Sequence, residues 1–256
     1  MTRLNFLDPN PTGEPVVLLL HGLGANGSSW TFQFESLMAA GMRPIAPDSP
    51  GFGASRYGGH GWNFKRVAAE LAEMLEELRI GQVYLVGLSM GGVIAQQFAL
   101  DYPQLVSKLV LVSTFSKLRP SNWSQWFYFA QRMLVVHSVG LSSQSKIVAR
   151  RVFPEPDQQA LRDMAAEQFA SADPRAYRAA MRHLGLFNSS QRLPEIKIPT
   201  LVITGANDST VTPSRQKMLA ENISGAKQVI IPGGGHAVAI DQSETFNTIL
   251  LEFLKN

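Results

Sequence analysis

The chain has 256 residues, of which 45% are hydrophobic and only 17% charged, with a formal net charge of +3. A charged fraction below the usual ~25% leaves apolar residues for a large core and a pocket, and the absence of any basic run longer than two argues against nucleic acid as a partner. Cysteine is absent, which excludes disulfides, thiolate metal sites and a cysteine nucleophile. The first residues lack the apolar segment of a secretory signal. No stretch reaches the ~18 uninterrupted apolar residues of a membrane helix. The expectation is a soluble cytoplasmic protein with no membrane partner.

In chain order, short Val/Ile/Leu-rich runs alternate with helical patterns. Strands are expected at 16–20, 43–47, 82–86, 108–112, 200–204 and 228–231, with a further antiparallel edge strand at 3–7. The runs show little polar alternation, as expected of strands buried on both faces of a parallel sheet. Helices are expected at 29–40, 64–78, 91–102, 214–222 and 242–255. In 64–78, Val67, Leu71, Met74, Leu75 and Leu78 follow the i, i+3, i+4 rhythm of an amphipathic helix.

The segment 115–192 breaks the alternation. It has no strand-like run and reads as three or four helices, including 123–137, 157–170 and 174–187, punctuated by Pro154, Pro156, Pro174 and Pro194. Because it lies between two core strands, it reads as an insertion rather than a second domain. The expected organisation is a first core part at 1–114, a helical lid at 115–192 and a second core part at 193–256. Trp123, Trp126 and Phe127 belong to an aromatic cluster on the first lid helix. Each alone is core-like, but together they suggest a substrate pocket beneath the lid.

The strand at 82–86 runs through Gly87-Leu88-Ser89-Met90-Gly91 straight into the helix at 91–102. A serine between two glycines on such a strand–turn–helix junction is the arrangement of a nucleophile elbow. The glycines let the turn close without a side chain colliding with backbone. The helix start aims unpaired N–H groups at the place where an oxyanion would form.

An activated serine needs a base, and histidine is the usual one because its pKa lies near working pH. Of the five histidines, His137 and His183 fall on insertion helices, and His60 in a glycine-rich loop after Tyr57. His21 follows the first buried strand, where bracing its own loop is the expected role. His236 follows the last strand in Gly233-Gly234-Gly235-His236, so it is the expected base.

The orienting acid should lie between serine and histidine. Asp208 ends the turn after the strand at 200–204. Its rivals are weaker: Asp48 precedes Ser89, while Asp157, Asp163 and Asp173 sit in the insertion. Asp241, five residues past His236, reads as a helix N-cap. Oxyanion donors are expected from the Met90 N–H and from the His21-Gly22-Leu23-Gly24 loop, with Leu23 as donor and Gly22 against the substrate.

These motifs, together with Asp48-Ser49-Pro50-Gly51-Phe52-Gly53, resemble the α/β-hydrolase superfamily over nearly the whole chain. The likeness is to the carboxylesterase, enol-lactonase and meta-cleavage C–C hydrolase group with a helical lid. The resemblance implies an α/β fold, a mostly parallel twisted sheet with helices on both faces and an inserted cap. It also implies that the Asp48 loop is structural, and that the short N-terminal part truncates the sheet at that edge. The expected activity is hydrolysis of a small carboxylic ester or lactone through an acyl-enzyme on Ser89, with no metal or organic cofactor. C–C bond hydrolysis of meta-cleavage products is the alternative. A non-catalytic ligand receptor on the same fold would predict an eroded site, and fold alone does not exclude it.

Overall fold

The computed structural model describes residues 4–118, 123 and 141–256. Seven strands form one sheet: β1 (Phe6–Leu7), β2 (Val16–Leu20), β3 (Arg43–Pro47), β4 (Val83–Leu88), β5 (Val106–Val112), β6 (Thr200–Gly205) and β7 (Lys227–Ile231). Their order is β1-β3-β2-β4-β5-β6-β7; β1 is antiparallel to β3 and every other pairing is parallel. The sheet is thus mostly parallel, and β1 makes a short edge of two residues.

The helices are α1 (Thr31–Ala39), α2 (Phe64–Glu77), α3 (Met90–Asp101), α4 (Leu141–Val152), α5 (Gln159–Ser171), α6 (Pro174–Leu186), α7 (Pro213–Asn222), α8 (Val238–Asp241) and α9 (Ser243–Lys255). Alternate strand residues serve opposite faces, because successive side chains in a strand point apart. Leu18, Leu20, Leu85 and Leu109 join the core built with α2 and α3. Val17, Leu19, Val86 and Val110 join Trp30, Leu37, Phe246 and Leu250 on the other face, beneath α1 and α9. Both faces are covered, which is why the strand runs are apolar throughout.

The boundaries differ from the sequence expectation by a few residues, and each shift has a cause. Strand β4 continues through Gly87 and Leu88 because Gly87 still pairs with Leu20 and Leu111 of its neighbours. Instead of one helix at 29–40, a 3-10 turn at Gly27–Trp30 precedes α1. The Asn26 side chain starts that turn by accepting the Ser28 N–H at 2.9 Å. Between β5 and β6, helix α4 was not singled out by the sequence, whereas α5 and α6 fall near 157–170 and 174–187. Most of the helix expected at 123–137 lies outside the described residues.

Asp241 is not an N-cap. It is the last residue of α8, and the N-cap position of α9 is Gln242, which makes no side-chain capping bond. The Asp241 carboxylate instead turns back and accepts the Gly235 N–H at 2.9 Å. Burial raises its pKa above the ordinary carboxylate value, against the lowering effects of the Gly235 bond and of His236.

Two features of the β2–β4 end position the site. A Cβ on Gly91 would fall on the Leu20 carbonyl oxygen, and one on Gly87 would fall on the Gly91 carbonyl. Both contacts are with backbone, which cannot rotate away. His21, just past β2, is fully buried and bonded on both ring nitrogens. Its Nε2 accepts the Ser49 N–H at 2.9 Å, so Nδ1 carries the proton and donates to the Gly22 carbonyl at 2.8 Å. Burial lowers the His21 pKa, outweighing the raising effects of the Gly22 bond and of Asp48.

Replacing Gly91 with Val should therefore abolish soluble expression or leave folded protein with less than about 1% of the native activity, because strand, turn and helix cannot all keep their places. Circular dichroism and a turnover assay on the same preparation check this. His21 generates a pH prediction. Its folded pKa is depressed, so its contribution to stability is present above the unfolded value of about 6.5 and is lost as pH falls below it, where only the unfolded chain takes up the proton. In urea unfolding, the stability difference between native protein and H21Q should shrink from pH 7.5 to pH 5. A difference constant over that range would contradict it.

Candidate active site

Ser89 sits between β4 and α3 with φ 55° and ψ −112°, a left-handed backbone that a non-glycine residue adopts only when its surroundings enforce it. The enforcing contacts are the two glycine approaches and a pair of flanking hydrogen bonds. The Ser89 N–H donates to the Val112 carbonyl at 2.9 Å, and the Thr114 hydroxyl donates to the Ser89 carbonyl at 2.7 Å. The resulting turn lifts Oγ out of the sheet.

The other two groups arrive from the same end of the sheet. His236 Nε2 lies 3.0 Å from Ser89 Oγ, and its Nδ1 lies 2.9 Å from Asp208 Oδ2 and 3.1 Å from Oδ1. The three residues picked from sequence are thus brought together in one hydrogen-bonded line, although Ser89 and His236 are 147 positions apart. With Nδ1–H directed to the carboxylate, Nε2 presents its lone pair to the serine hydroxyl.

Asp208 is buried and fully engaged. Besides His236, its Oδ1 accepts the N–H groups of Thr210 and Val211 at 2.8 and 2.9 Å, and its Oδ2 accepts Nε2 of Gln216 at 3.1 Å. Gln216 is held in turn by donating to the Val211 carbonyl at 2.7 Å. Sequence reasoning missed Gln216. It lies eight residues past the acid, one turn into α7, and no motif marks it. These donors engage both carboxylate oxygens and fix the plane of the carboxylate against the His236 ring.

The expected oxyanion donors flank the serine. Met90 opens α3, so its N–H has no acceptor within the helix. The 22–24 loop lies opposite: a Cβ on Gly22 would meet the Leu88 side chain at 3.2 Å and the Ser89 Cβ at 3.7 Å. The His21 bond to the Gly22 carbonyl fixes how this loop turns. Asp48 fixes the loop's far end by accepting the Gly27 N–H at 2.7 Å, and it also accepts the Ala54 N–H at 2.9 Å.

Ser89, His236, Gly22 and Leu23 open onto a cavity of about 600 Å³. Its aromatic wall is Trp30, Phe115, Phe153, Phe169 and Tyr177, drawn from several elements between β2 and α6. The aromatic cluster favoured by the sequence does not supply the described lining. Trp123 is 90% exposed and is not among the lining residues, while Trp126 and Phe127 lie outside the described residues. Among the described residues, no three His, Asp or Glu side chains gather as metal ligands, and no helix is long and apolar enough to cross a membrane.

The family described as "Alpha/beta hydrolase family" matches residues 17–249. A curated relative from Variovorax paradoxus (strain S110), named "Putative carbamate hydrolase RutD", is 31% identical over 259 residues, covering 98% of this chain and 96% of its own length. Among solved structures, a thermophilic esterase from Thermogutta terrifontis is 28% identical with a TM-score of 0.86, covering 98% of this chain and 93% of that one. The enol-lactonase from Burkholderia xenovorans LB400 has the same fold, with a TM-score of 0.88 at 22% identity and coverage of 99% and 96%. Matched by the family over residues 17–249 and by a relative 31% identical over 98% of its length, the chain belongs to the alpha/beta hydrolase family.

Proposed function

We propose that the chain is a serine hydrolase that cleaves a small carboxylic ester or lactone through an acyl-enzyme on Ser89. The observation that carries this reading is the unbroken hydrogen-bonded line from Ser89 Oγ through His236 to Asp208. In the first half-reaction, Nε2 of His236 takes the serine proton as Oγ bonds to the carbonyl carbon. The carbonyl oxygen becomes an oxyanion held by the N–H groups of Leu23 and Met90. The imidazolium, supported by Asp208, then gives its proton to the leaving alkoxide as the C–O bond breaks. Water repeats the sequence on the acyl-enzyme, and Ser89 is regenerated.

The same atoms can act on a carbamate carbonyl, the substrate class in the name of the Variovorax paradoxus relative. The largely apolar cavity supports an ester or lactone with a hydrocarbon acyl part in preference to a carbamate, whose polar nitrogen would have to shed its water there. On this reading, residues 115–192 are the cap that supplies the outer wall of the cavity, and 1–114 with 193–256 are the core that holds the chemistry.

Ser89→Ala should lower kcat by on the order of 10³ to 10⁶ with the fold intact, and a fluorophosphonate probe should label Ser89 alone. Native turnover in a folded S89A protein would sink the nucleophile assignment. A panel of 4-nitrophenyl esters, simple lactones, a carbamate and a meta-cleavage dienoate separates the substrate classes. Asp208→Asn should cost on the order of 10² to 10⁴ in kcat, because the imidazole loses its orienting partner and its cation is left without support. An Asp208→Asn enzyme within threefold of native would remove Asp208 from the relay.

A further inference from the structure

The loop that presents His236 is held at both ends by backbone groups. On one side, the Asn207 N–H donates to the Gly234 carbonyl at 2.8 Å, joining this loop to the one carrying Asp208. A Cβ on Gly205 would fall on the Gly235 carbonyl, so the two loops touch backbone to backbone. On the other side, the chain passes His236 and winds through α8, where the Asp241 N–H donates to the Ala237 carbonyl at 3.0 Å. The Asp241 carboxylate then reaches back across His236 to the Gly235 N–H. The catalytic imidazole is therefore carried inside a closed ring of seven residues, fastened by one side-chain acceptor.

Two further observations bear on that acceptor. The Asp241 side chain is largely buried, and its Oδ1 has no hydrogen-bond partner among the described residues, so the carboxylate is held through Oδ2 at a considerable desolvation cost. A Cβ on Gly235 would lie 2.8 Å from the same Oδ2, so the glycine immediately before His236 is the residue that lets the carboxylate approach. A helix-capping or solvating role accounts for neither fact. We infer that Asp241 is the positioning residue of the histidine loop, setting through the Gly235 N–H where the His236 ring stands between Ser89 and Asp208. The inference rests on the serine-hydrolase reading given above, because positioning matters only if His236 relays the proton.

The test compares D241N, D241A and G235A with the native enzyme. In D241N the amide oxygen still accepts the Gly235 N–H, so kcat should stay within about threefold of native. In D241A that N–H is released, and kcat should fall on the order of 10- to 100-fold with KM within about twofold, since ring placement rather than substrate binding is disturbed. The far-downfield proton of the His236–Asp208 hydrogen bond should be retained in D241N and broadened or lost in D241A. G235A should behave like D241A, from the other side of the same bond. A folded D241A with native kcat overturns the inference, and so does a folded D241N as impaired as D241A, which would assign the role to charge instead of the bond. Should D241A fail to fold, D241N and G235A still decide the matter by the same criteria. The serine-hydrolase reading fails separately: it falls if S89A retains native turnover, whatever the Asp241 variants do.

Discussion

Every other feature of the site depends on one backbone conformation, the left-handed Ser89 at the end of β4. An isolated L-residue disfavours that region by roughly 1–3 kcal/mol, so the surroundings must hold it there. They do so by contact. The Gly91 Cα lies against the Leu20 carbonyl and Gly87 against the Gly91 carbonyl, both too close for any side chain. Strand β2 thus presses on the turn from one side and β5 grips it through Val112 from the other. Neither neighbour can withdraw without breaking the parallel pairing that both cores are built around. The strain is sustained by the centre of the sheet, which is the most deeply buried part of the molecule.

The loops around the serine are held differently, by side chains satisfying backbone groups. His21, Asp48, Asp208, Gln216 and Asp241 each spend their hydrogen-bonding capacity on N–H or C=O groups of loops at the carboxyl ends of the strands. Loops there cannot use sheet pairing, and buried backbone groups left unpaired would be costly. A neutral imidazole serves for His21 because it can donate and accept at once, tying its own loop to the one after β3. Carboxylates serve where two or more N–H groups converge, as at Asp48 and Asp208.

How much of this was legible in the sequence follows from the range of each interaction. Ser89, His236 and Asp208 could be read because each sits in a short local pattern: glycines around the serine, glycines before the histidine, a buried strand before the acid. The core strands were legible for the same reason, since burial on both faces leaves an uninterrupted apolar run. Gln216 and Asp241 were not legible as site residues. Their partners are set by how a loop folds back on itself, and an aspartate a few residues before a helix reads equally well as a cap. Helix α4 was missed because three serines, Ser142, Ser143 and Ser145, fall in its first turns and are weak helix formers. The cavity aromatics come from scattered positions such as Trp30 and Phe169, which only the fold brings together.

The segment between β5 and β6 meets the core through equally small contacts, and this bears on how substrate preference and chemistry are separated. A Cβ on Gly24 would meet the Phe169 ring of α5 at 2.7 Å, and one on Gly51 would fall on Ala176 of α6. The Asp173 N–H, at the start of α6, donates to the Gly51 carbonyl at 2.8 Å. Helices α5 and α6 therefore dock on the loops after β2 and β3, while Arg151 of α4 donates to the Ser209 carbonyl beside Asp208 at 3.3 Å. Within reach of the cavity they contribute side chains such as Met164, Phe169, Tyr177 and Met181, whose sizes can change without altering the sheet. The geometry that holds Ser89, His236 and Asp208 is fixed by strand pairing and loop hydrogen bonds beneath them. Docking through Gly24 and Gly51, whose left-handed backbones and close contacts leave no room for a side chain, keeps the wall in register with the loop after β2, while the wall's own side chains are free to change shape.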